Sequence, residues 1–409
     1  MLNETAKKLN DISRFTESHA KNKASVFTRF YAGNIKDKLA AVINTLAPNG
    51  KIAAVFTDHS FAAFGELTAA LVSSFSGSMS RVILKDGVPT VKDAGALLSA
   101  AEDARFILAF DADFYGLAAY AATVARVPAV LAVNNPGFRE VVQSRTLLRN
   151  GDCLDYVKVR APRYVLLDEN VYKTLDVPAV YSSVIGRLSD FTDYRIACAV
   201  KKYDADKRAY SVLKDAVSSA FGVFTLSAEK RAESLLYSKF KAELANLATD
   251  GALSDFSAFK NASRLCVSSG NTAESESLYI LCRIMGLYNL YFSGRYDDVL
   301  EIPDYLSRAD KIVETAKCEE LTALRSLKAQ SELYSQTRKT TDRLKNELKD
   351  EISAQTSVAE KTVKTYFALG GKDGSDKKII DFAVKHSGDL PDCFNGMTLV
   401  RESGIGEYI

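Results

Sequence analysis

Histidine and cysteine, the side chains that most often bind metals or act as nucleophiles, are few and scattered in this sequence. The three histidines are His19, His59 and His386, and no two of them have the short spacing of a zinc-binding helix or finger. The six cysteines show no CxxC spacing and mostly have apolar neighbours, which is typical of reduced thiols in a protein core. No Ser-His-Asp or Cys-His constellation is visible, so covalent catalysis has no support.

Two aspartates, Asp111 and Asp113, follow an apolar run that is typical of a buried strand. Acidic side chains at such a place often cap the helix that begins next, and we predict that role for both. The alternative is that they bind a cation or a basic partner, which requires a third acceptor that the sequence does not identify. His59 follows Asp58 after an earlier run, where a surface or turn position is expected for it.

Short apolar runs in the first 170 residues are typical of buried strands. They cover residues 51–56, 81–84, 106–110, 129–133 and 164–167. Between the first two runs, the segment FAAFGELTAALVSSF has apolar residues at helical spacing. Strands that alternate with helices predict a parallel sheet covered on both faces, which binds ligands beyond the carboxyl ends of its strands.

After about residue 177 the pattern becomes helical. The predicted helices cover residues 210–221, 229–247, 276–292, 296–315, 318–348 and 358–369. The fold class is therefore expected to be an N-terminal α/β domain with a Rossmann-like parallel sheet, residues 1–176, followed by an all-α C-terminal domain, residues 177–409. The cleft between the two domains is the expected place for a site.

The composition is that of an ordinary globular protein, with 47% hydrophobic residues and a net charge of +2 in 409 residues. This balance gives no reason to expect nucleic acid as a partner. The most apolar stretch, residues 117–125, is too short to span a membrane. The first residues carry charge throughout and lack the apolar core of a secretion signal. We therefore expect an exposed helix at the start and a cytoplasmic protein without a membrane partner.

One segment, SSVIGRLSDFTDYRIA, indicates a family. It resembles the "AGFGDxLGKYTxLxDWRLA" helix of glycerol-1-phosphate dehydrogenases, with Gly186, Arg187, Asp193, Arg195 and Ala197 at matching positions. Those enzymes belong to the superfamily of iron-containing alcohol dehydrogenases, glycerol dehydrogenases and dehydroquinate synthases. The resemblance implies an N-terminal nucleotide-binding α/β domain and a C-terminal helical domain, which is the architecture expected from the periodicity.

Further segments resemble the same superfamily in order and spacing. They are VFTDHSFAAFGE, RFILAFDADFYGLAAYAA, AESESLYIL and LPDCFNGMTLVRESGIGEYI. The resemblance covers roughly residues 10–409. It implies NAD(P) and a zinc, nickel or iron ion as cofactors in relatives, and a homo-oligomer, a dimer or larger, as the assembly.

The family holds its metal with one aspartate and two histidines, which leave room for the oxygens of the substrate. The matching positions in this chain are Ser183, Ser277 and Ser293. A serine hydroxyl is neutral and a poor ligand for zinc or nickel. We therefore expect no metal ion at these former ligand positions.

The nucleotide-binding positions that the resemblance implies have also changed. Asp58 matches the carboxylate that faces the adenosine ribose in the family. The family's three glycines, which let backbone N–H groups approach a pyrophosphate, correspond to Phe110, Asp111 and Ala112, followed by Asp113. An ionised aspartate about 4 Å from a phosphate costs about 4 kcal/mol at an effective dielectric constant of 20. No cofactor is therefore predicted.

Together, these changes predict a degenerate relative, or pseudoenzyme, that has lost metal-dependent hydride transfer with NAD(P) and acts as a binding or regulatory protein. The alternative is an active NAD(P)-dependent oxidoreductase on glycerol 1-phosphate, dihydroxyacetone phosphate or a related small alcohol. In that case the metal ligands would come from other carboxylates, for example Asp190, Asp193, Glu274 and Glu276.

A third possibility is chemistry without a metal on a small phosphorylated ligand such as a sugar phosphate. Arg187 and Arg195 could then bind the phosphate in a bidentate manner. For Arg195, an ion pair with a carboxylate is the simpler expectation.

Overall fold

The computed structural model describes most of the chain. The described residues are 2–19, 27–85, 87–137, 140–150, 153–201, 206–249, 251, 253, 257–268, 274–294, 309–310, 313–314, 320–372, 376–389, 394–403 and 405. Within them, no helix has the length and apolar character needed to cross a membrane.

The chain divides into two compact units. The first comprises Met1–Gly151, Asp155–Val180 and Ser218–Gly251, and the second comprises Asp152–Leu154, Tyr181–Val217 and Ala252–Ile409. Compared with the single boundary expected at residue 176, the main difference is that residues 218–251 lie in the first unit. The site expected in a cleft between domains stays a prediction.

The first unit is built on a six-stranded parallel sheet. Its strands are β1 (Arg29–Gly33), β2 (Lys51–Phe56), β3 (Ser78–Ile83), β4 (Ala104–Ala109), β5 (Ala129–Val133) and β8 (Tyr164–Asp168). Their order is β1-β8-β5-β4-β2-β3, and every neighbouring pair is parallel. A separate two-stranded sheet contains β6 (Arg145–Asn150) and β7 (Cys153–Lys158). The central strands β2, β4 and β5 are buried almost throughout, as expected for a sheet covered on both faces.

Helices cover this sheet. They are α1 (Leu2–His19), α2 (Ile35–Leu46), α3 (Asp58–Ser74), α4 (Val91–Ala100), α5 (Tyr115–Ala125), α6 (Val171–Thr174), the first residues of α7 (Val177–Ile185), the end of α9 (Lys207–Phe221) and α10 (Ala228–Ala248). Short 3-10 turns span Ala112–Phe114 and Gly222–Thr225. Both α3 and α4 begin with a threonine capping box, formed by Thr57 and Thr90.

The described part of the second unit is mainly helical. Besides the remainders of α7 and α9, its helices are α8 (Leu188–Lys201), α11 (Ala258–Ser268), α12 (Glu274–Phe292), α13 (Glu320–Ala368), α14 (Lys377–His386) and α15 (Gly396–Glu402). The fold class, a parallel α/β sheet followed by a helical region, is as predicted.

Several elements differ from the sequence prediction. The helix α1 is present, but it is not exposed on all sides, because Leu9 and Ala6 are buried on one face. The two helices predicted at 318–348 and 358–369 are one continuous helix, α13, of 49 residues. The helix predicted at 296–315 falls largely outside the described residues.

Candidate functional site

Asp111 lies at the edge of the sheet where the strands end. Its carboxylate accepts hydrogen bonds from the start of α3, the helix that follows β2. Its Oδ2 accepts hydrogen bonds from the Thr57 backbone N–H at 2.9 Å and from Ser60 Oγ at 2.5 Å, and its Oδ1 accepts one from Thr57 Oγ1 at 3.2 Å. The capping prediction was therefore wrong in its target, since Asp111 makes no side-chain bond to the helical turn that follows it. Instead it places a carboxylate at the N-terminus of α3, where the helix dipole favours negative charge.

Asp113 lies in the first turn of the helical segment after β4, as predicted for an N-terminal acid, and it also accepts a hydrogen bond from another segment. Its Oδ2 accepts the backbone N–H of Gly87 at 3.1 Å, in the loop after β3. The alternative of a cation site finds no support, since no group of three or more His, Cys, Asp or Glu side chains with metal-binding geometry occurs among the described residues. Ala112 lies beside Asp113 in the 3-10 turn.

Phe110 occupies the first of the three positions where the resembling family has glycine. Its side chain is buried, and its ring stacks on Phe56 with centroids 5.3 Å apart and on Phe64 with centroids 4.8 Å apart. Stacked rings of this kind add to the stability given by their buried area. The space beside the end of β4 is therefore filled by an aromatic cluster.

The Gln143 side chain accepts a hydrogen bond from a backbone N–H group at the start of α5. In the amide orientation that satisfies both of its ends, the Gln143 oxygen accepts the backbone N–H of Gly116 at 3.3 Å, and its nitrogen donates to the Arg145 carbonyl at 2.9 Å. A Cβ atom at position 116 would overlap Thr146 Oγ1, so glycine allows β6 to approach α5 this closely. A side chain of the protein thus takes one of the helix N–H groups that a bound anion would otherwise use.

A buried ion pair on α10 positions the loop that carries Gln143. Oε2 of Glu243 accepts the backbone N–H groups of Val141 and Val142 at 3.2 and 2.8 Å. Its Oε1 lies 3.1 Å from Lys239 Nζ, and both side chains are only 3% exposed. Gln143 and this pair were not predicted from the sequence, because they contact residues far away in the chain. The only local signal is the i,i+4 spacing of the pair.

Tyr115 completes the buried polar groups at this edge of the sheet. Its hydroxyl donates to the carbonyl oxygens of Ala132 at 3.1 Å and Phe110 at 3.3 Å. Burial, followed by the nearby charges of Asp111 and Glu243, raises the pKa of Tyr115 well above its ordinary value. The hydroxyl therefore stays protonated and acts as a structural donor.

Asp58 and His59, the other residues considered on the nucleotide side, begin α3 and are exposed. The exposed position of His59 agrees with the surface or turn position predicted for it. Within the described residues, Asp58 makes no hydrogen bond or ion pair with a side chain of the protein. Its role as a ribose ligand stays a prediction.

Two of the three serines at the predicted former metal-ligand positions, Ser277 and Ser293, lie far apart. Ser183 lies half-buried on α7. Ser277 lies in the first turn of α12, with its side chain outside the described ones, whereas Ser293 is exposed just beyond the end of that helix and donates to the Leu290 carbonyl at 3.1 Å. Sixteen residues of helix separate Ser277 from Ser293 by about 24 Å. One ion could therefore not have bound both positions.

The arginines considered for phosphate binding both form ion pairs. Arg187 Nη1 lies 3.2 Å from Asp190 Oδ2, and both side chains are buried. Burial raises the pKa of Asp190, and the charge of Arg187 acts in the opposite direction. Arg195 Nη1 lies 2.7 Å from Oε2 of Glu351 on α13, in agreement with the simpler expectation of an ion pair.

Asp193, which was considered as a metal ligand, instead joins four helices of the second unit. Its Oδ1 accepts hydrogen bonds from the Tyr288 hydroxyl at 2.5 Å and the Gly396 N–H at 2.9 Å, and its Oδ2 accepts one from the Ala258 N–H at 2.8 Å. These donors belong to α12, α15 and α11, and Asp193 itself lies on α8. The other carboxylates considered, Glu274 and Glu276, have side chains outside the described ones.

His386 lies in a second buried polar cluster of this unit. Its Nδ1 is 2.7 Å from Asp389 Oδ2, and Asp389 also pairs with Arg401. Both His386 and Asp389 are almost fully buried. The cluster joins the end of α14 to α15, so its structural role is clear from its contacts.

Replacing Asp111 by asparagine is expected to lower the free energy of unfolding by about 2 kcal/mol, because hydrogen bonds to a charged acceptor are worth about 1.5–3 kcal/mol. The amide would also direct its NH2 group at donors of Thr57 or Ser60. Denaturant titration measures the loss. The matched control is Asp58→Asn at the exposed start of α3, for which a loss of about 0.5 kcal/mol is expected. Equal losses in the two variants would contradict the role given to Asp111.

Known proteins resemble this chain in structure and not in sequence. No protein-family profile and no curated protein sequence matches it. Among solved structures, an archaeal halo-thermophilic alcohol dehydrogenase from a Red Sea brine pool is similar with a TM-score of 0.59 at 11% identity, covering 93% of this chain and 98% of that one. An iron-containing alcohol dehydrogenase from Thermotoga maritima is similar with a TM-score of 0.55 at 11% identity, with the same coverage.

Maleylacetate reductase from Rhizobium sp. strain MTP-10005 is also similar, with a TM-score of 0.51 at 14% identity over 93% of this chain and 95% of that one. At such identities the likeness shows the fold alone. The chain therefore has the two-part fold of the iron-containing alcohol dehydrogenases, and the predicted resemblance is confirmed at that level.

Proposed function

We propose that this chain is a degenerate protein of dehydrogenase fold, a pseudoenzyme that does not transfer hydride with NAD(P) and a metal and that acts as a binding or regulatory protein. The observation that carries the proposal is the Asp111 carboxylate, which bonds Thr57 and Ser60 at the N-terminus of α3. Helix N-termini at the carboxyl edge of a parallel sheet are where such folds bind nucleotide phosphates. A carboxylate of the protein at that place repels a phosphate.

Two further contacts support the proposal. The buried ring of Phe110 fills the space beside the end of β4, stacked between Phe56 and Phe64. The amide of Gln143 accepts the N–H of Gly116 at the start of α5. The residues present at this edge therefore do not fit the pyrophosphate of a dinucleotide.

The residues that the resemblance matched to metal ligands do not fit a divalent ion either, and Ser277 and Ser293 lie too far apart along α12 to bind one ion together. Ser183 and Ser293 offer neutral hydroxyls in place of a carboxylate and an imidazole. Asp190 and Asp193, the carboxylates that could replace the lost ligands, are engaged by Arg187 and by three hydrogen-bond donors, respectively.

As a regulatory or binding protein, the chain is proposed to act in the cytoplasm as a homo-oligomer, a dimer or larger, without nucleic-acid or membrane partners. Pairing with an active relative is one way in which it could regulate. Light scattering on the purified protein tests the assembly, and a monomer at micromolar concentration would contradict it.

Thermal unfolding with and without NADH or NADPH tests the proposed loss of dinucleotide binding. A ligand at 100 times its Kd stabilises a protein by about 2.7 kcal/mol. We expect no shift of the midpoint with either nucleotide, in the presence or absence of zinc or nickel, because Asp111 and Gln143 occupy the helix N-termini.

The opposite result would support the active alternative. If the purified protein bound one dinucleotide per chain and oxidised glycerol 1-phosphate in a reaction that depends on zinc or nickel, the pseudoenzyme proposal would be wrong. The matched variant is Asp111→Asn, which removes the negative charge at nearly constant size. Dinucleotide binding by the wild type that is unchanged in this variant would contradict the role given to the carboxylate.

A further inference from the structure

A groove runs between α1 and the edge strand β1 in the first unit. It has a volume of about 300 Å³, which is within the range of small-molecule sites. One wall is formed by Asn3, Lys7, Asn10 and Arg14, whose spacing of four, three and four residues places them on one face of α1. The opposite wall includes Tyr31 of β1 and Lys38 of α2, among others.

The wall formed by α1 is fixed in place by Asn10. Its amide nitrogen donates to the carbonyl of Phe30 at 2.9 Å, and its amide oxygen accepts the N–H of Phe30 at 2.8 Å. The side chain thus satisfies the outer edge of β1 as a neighbouring strand would. Thr5, on another face of α1, donates to Glu233 of α10 at 3.0 Å. The groove is therefore a built feature between two anchored elements.

The floor of the groove offers backbone hydrogen-bonding groups. The Arg29 N–H donates to the Arg163 carbonyl oxygen on the side of β1 that faces β8. The parallel pairing of β1 with β8 continues from there to Gly33. Because alternate residues of a strand direct their N–H and C=O groups to opposite edges, Phe30 and Ala32 face outward. Asn10 satisfies Phe30, whereas Ala32 lines the groove beyond it.

Positive charge dominates the groove. Three cations, Lys7, Arg14 and Lys38, face it together with one carboxylate, Asp11. Arg14 lies 3.8 Å from Asp11 with both side chains more than 60% exposed, so this ion pair is weak. The three cations and one carboxylate leave the groove with a net charge of about +2. Within the described part of the chain, Lys7 and Lys38 make no ion pair.

We propose that this groove binds a phosphate monoester of sugar-phosphate size. Phosphate offers only acceptors to the donors here, the two ammonium groups of Lys7 and Lys38 and the guanidinium of Arg14, which can bind it in a bidentate manner. Tyr31, which is 37% exposed, gives the organic part of the ester an aromatic wall. The groove lies at the outer strand β1, whereas Asp111 follows β4, which is separated from β1 by β8 and β5. This proposal therefore does not depend on the proposed loss of hydride transfer.

Calorimetric titration of the full chain with glucose 6-phosphate, glucose and inorganic phosphate tests the proposal. We expect glucose 6-phosphate to bind, to bind more weakly as the salt concentration rises, and to bind more tightly than inorganic phosphate, whereas glucose should not bind. Lys7→Gln and Lys38→Gln should each weaken binding about tenfold, which corresponds to about 1.4 kcal/mol. The control is Lys8→Gln, since Lys8 pairs with Glu4 at 2.9 Å and does not line the groove.

Three outcomes would overturn the proposal. The first is the absence of glucose 6-phosphate binding to the wild type. The second is equal binding by the wild type and the Lys7→Gln/Lys38→Gln double variant. The third is equal affinity for inorganic phosphate, which would assign the groove to free phosphate and not to an ester. Far-UV circular dichroism of each variant checks that α1 remains folded, and because both lysines are partly or fully exposed, no loss of fold is expected.

Discussion

Replacing Asp193 by alanine is expected to lower the free energy of unfolding by about 4 kcal/mol. The carboxylate is fully buried and accepts the hydroxyl of Tyr288 and the N–H groups of Ala258 and Gly396. Each buried donor left without an acceptor costs about 1–3 kcal/mol. Since the three donors lie on three different helices, the loss should affect the packing of the second unit as a whole.

The same residue should make stability depend on pH. Burial raises the pKa of Asp193 to about 7, although its hydrogen bonds with Tyr288, Ala258 and Gly396 act in the opposite direction. An aspartate in the unfolded chain has a pKa of about 3.9. The folded state therefore binds the proton more tightly, and the contribution to stability is fully present below about pH 4 and is lost as the pH rises through about 7.

Two variants separate the hydrogen bonds from the titration. Asp193→Asn does not titrate, so it should not share the loss of stability towards pH 8. Its NH2 group would face one of the three donors, so we expect it to be less stable than the wild type at pH 5 by about 2 kcal/mol. Denaturant titrations at both pH values measure this. The matched control for the alanine variant is Asp381→Ala on α14, whose partly exposed side chain pairs with Arg283 at 2.9 Å and should contribute less than about 1 kcal/mol.

Either of two results would contradict this account. One is a loss in Asp193→Ala no larger than that in Asp381→Ala. The other is the same pH dependence in the wild type and in Asp193→Asn.

The buried strands could be predicted from the sequence because burial on both faces leaves a local signal. The runs at 51–56 and 129–133 coincide with β2 and β5, whose residues are buried almost throughout. The edge strand β1 was missed, because exposed residues alternate with buried ones in RFYAG and only five residues carry the pattern. The strands β6 and β7 were missed for a similar reason, since RTLLRN and CLDYVK mix charged and apolar residues.

The break predicted in the long helix α13 shows a limit of local patterns. The segment between residues 348 and 358 is polar, which favoured a gap between two helices. In the structure, Thr356 is buried and donates to the Ile352 carbonyl of its own helix at 2.8 Å and to the Met285 carbonyl of α12 at 3.0 Å. A hydrogen bond to Met285, 71 residues earlier in the chain, thus stabilises helix α13 at the point where the local sequence suggests a break.

The chemistry of the candidate site was predictable only in part. The sequence shows that residue 111 is an aspartate after a buried strand, and this is enough to exclude a glycine loop. It does not show that the carboxylate bonds Thr57, which lies 54 residues earlier in the chain. For Ser277 and Ser293 the sequence suggested a proximity that the structure does not have. Their spacing in the chain matched the family, but the continuous helix α12 separates them in space.

Glu243→Gln is expected to lower the free energy of unfolding by about 3 kcal/mol, because removing one charge of a buried ion pair leaves the other uncompensated. Lys239 and Glu243 are each only 3% exposed and lie 3.1 Å apart. The glutamine oxygen can still accept the N–H groups of Val141 and Val142, so the loss measures mainly the charge. The matched control is Glu229→Gln at the exposed start of α10, which should change stability by less than about 0.5 kcal/mol.

The double variant Lys239→Met/Glu243→Gln separates the ion pair from the position of the loop. With both charges removed, most of the lost stability should return, since apolar replacements of buried ion pairs are often neutral.

Glu243→Ala, by contrast, should also speed hydrogen exchange at Val141 and Val142, because their N–H groups lose the acceptor. Gln143 follows them directly, so this variant should also loosen the amide that closes the start of α5. Additive losses in the double variant, or unchanged exchange in Glu243→Ala, would contradict the role of α10 in holding this loop.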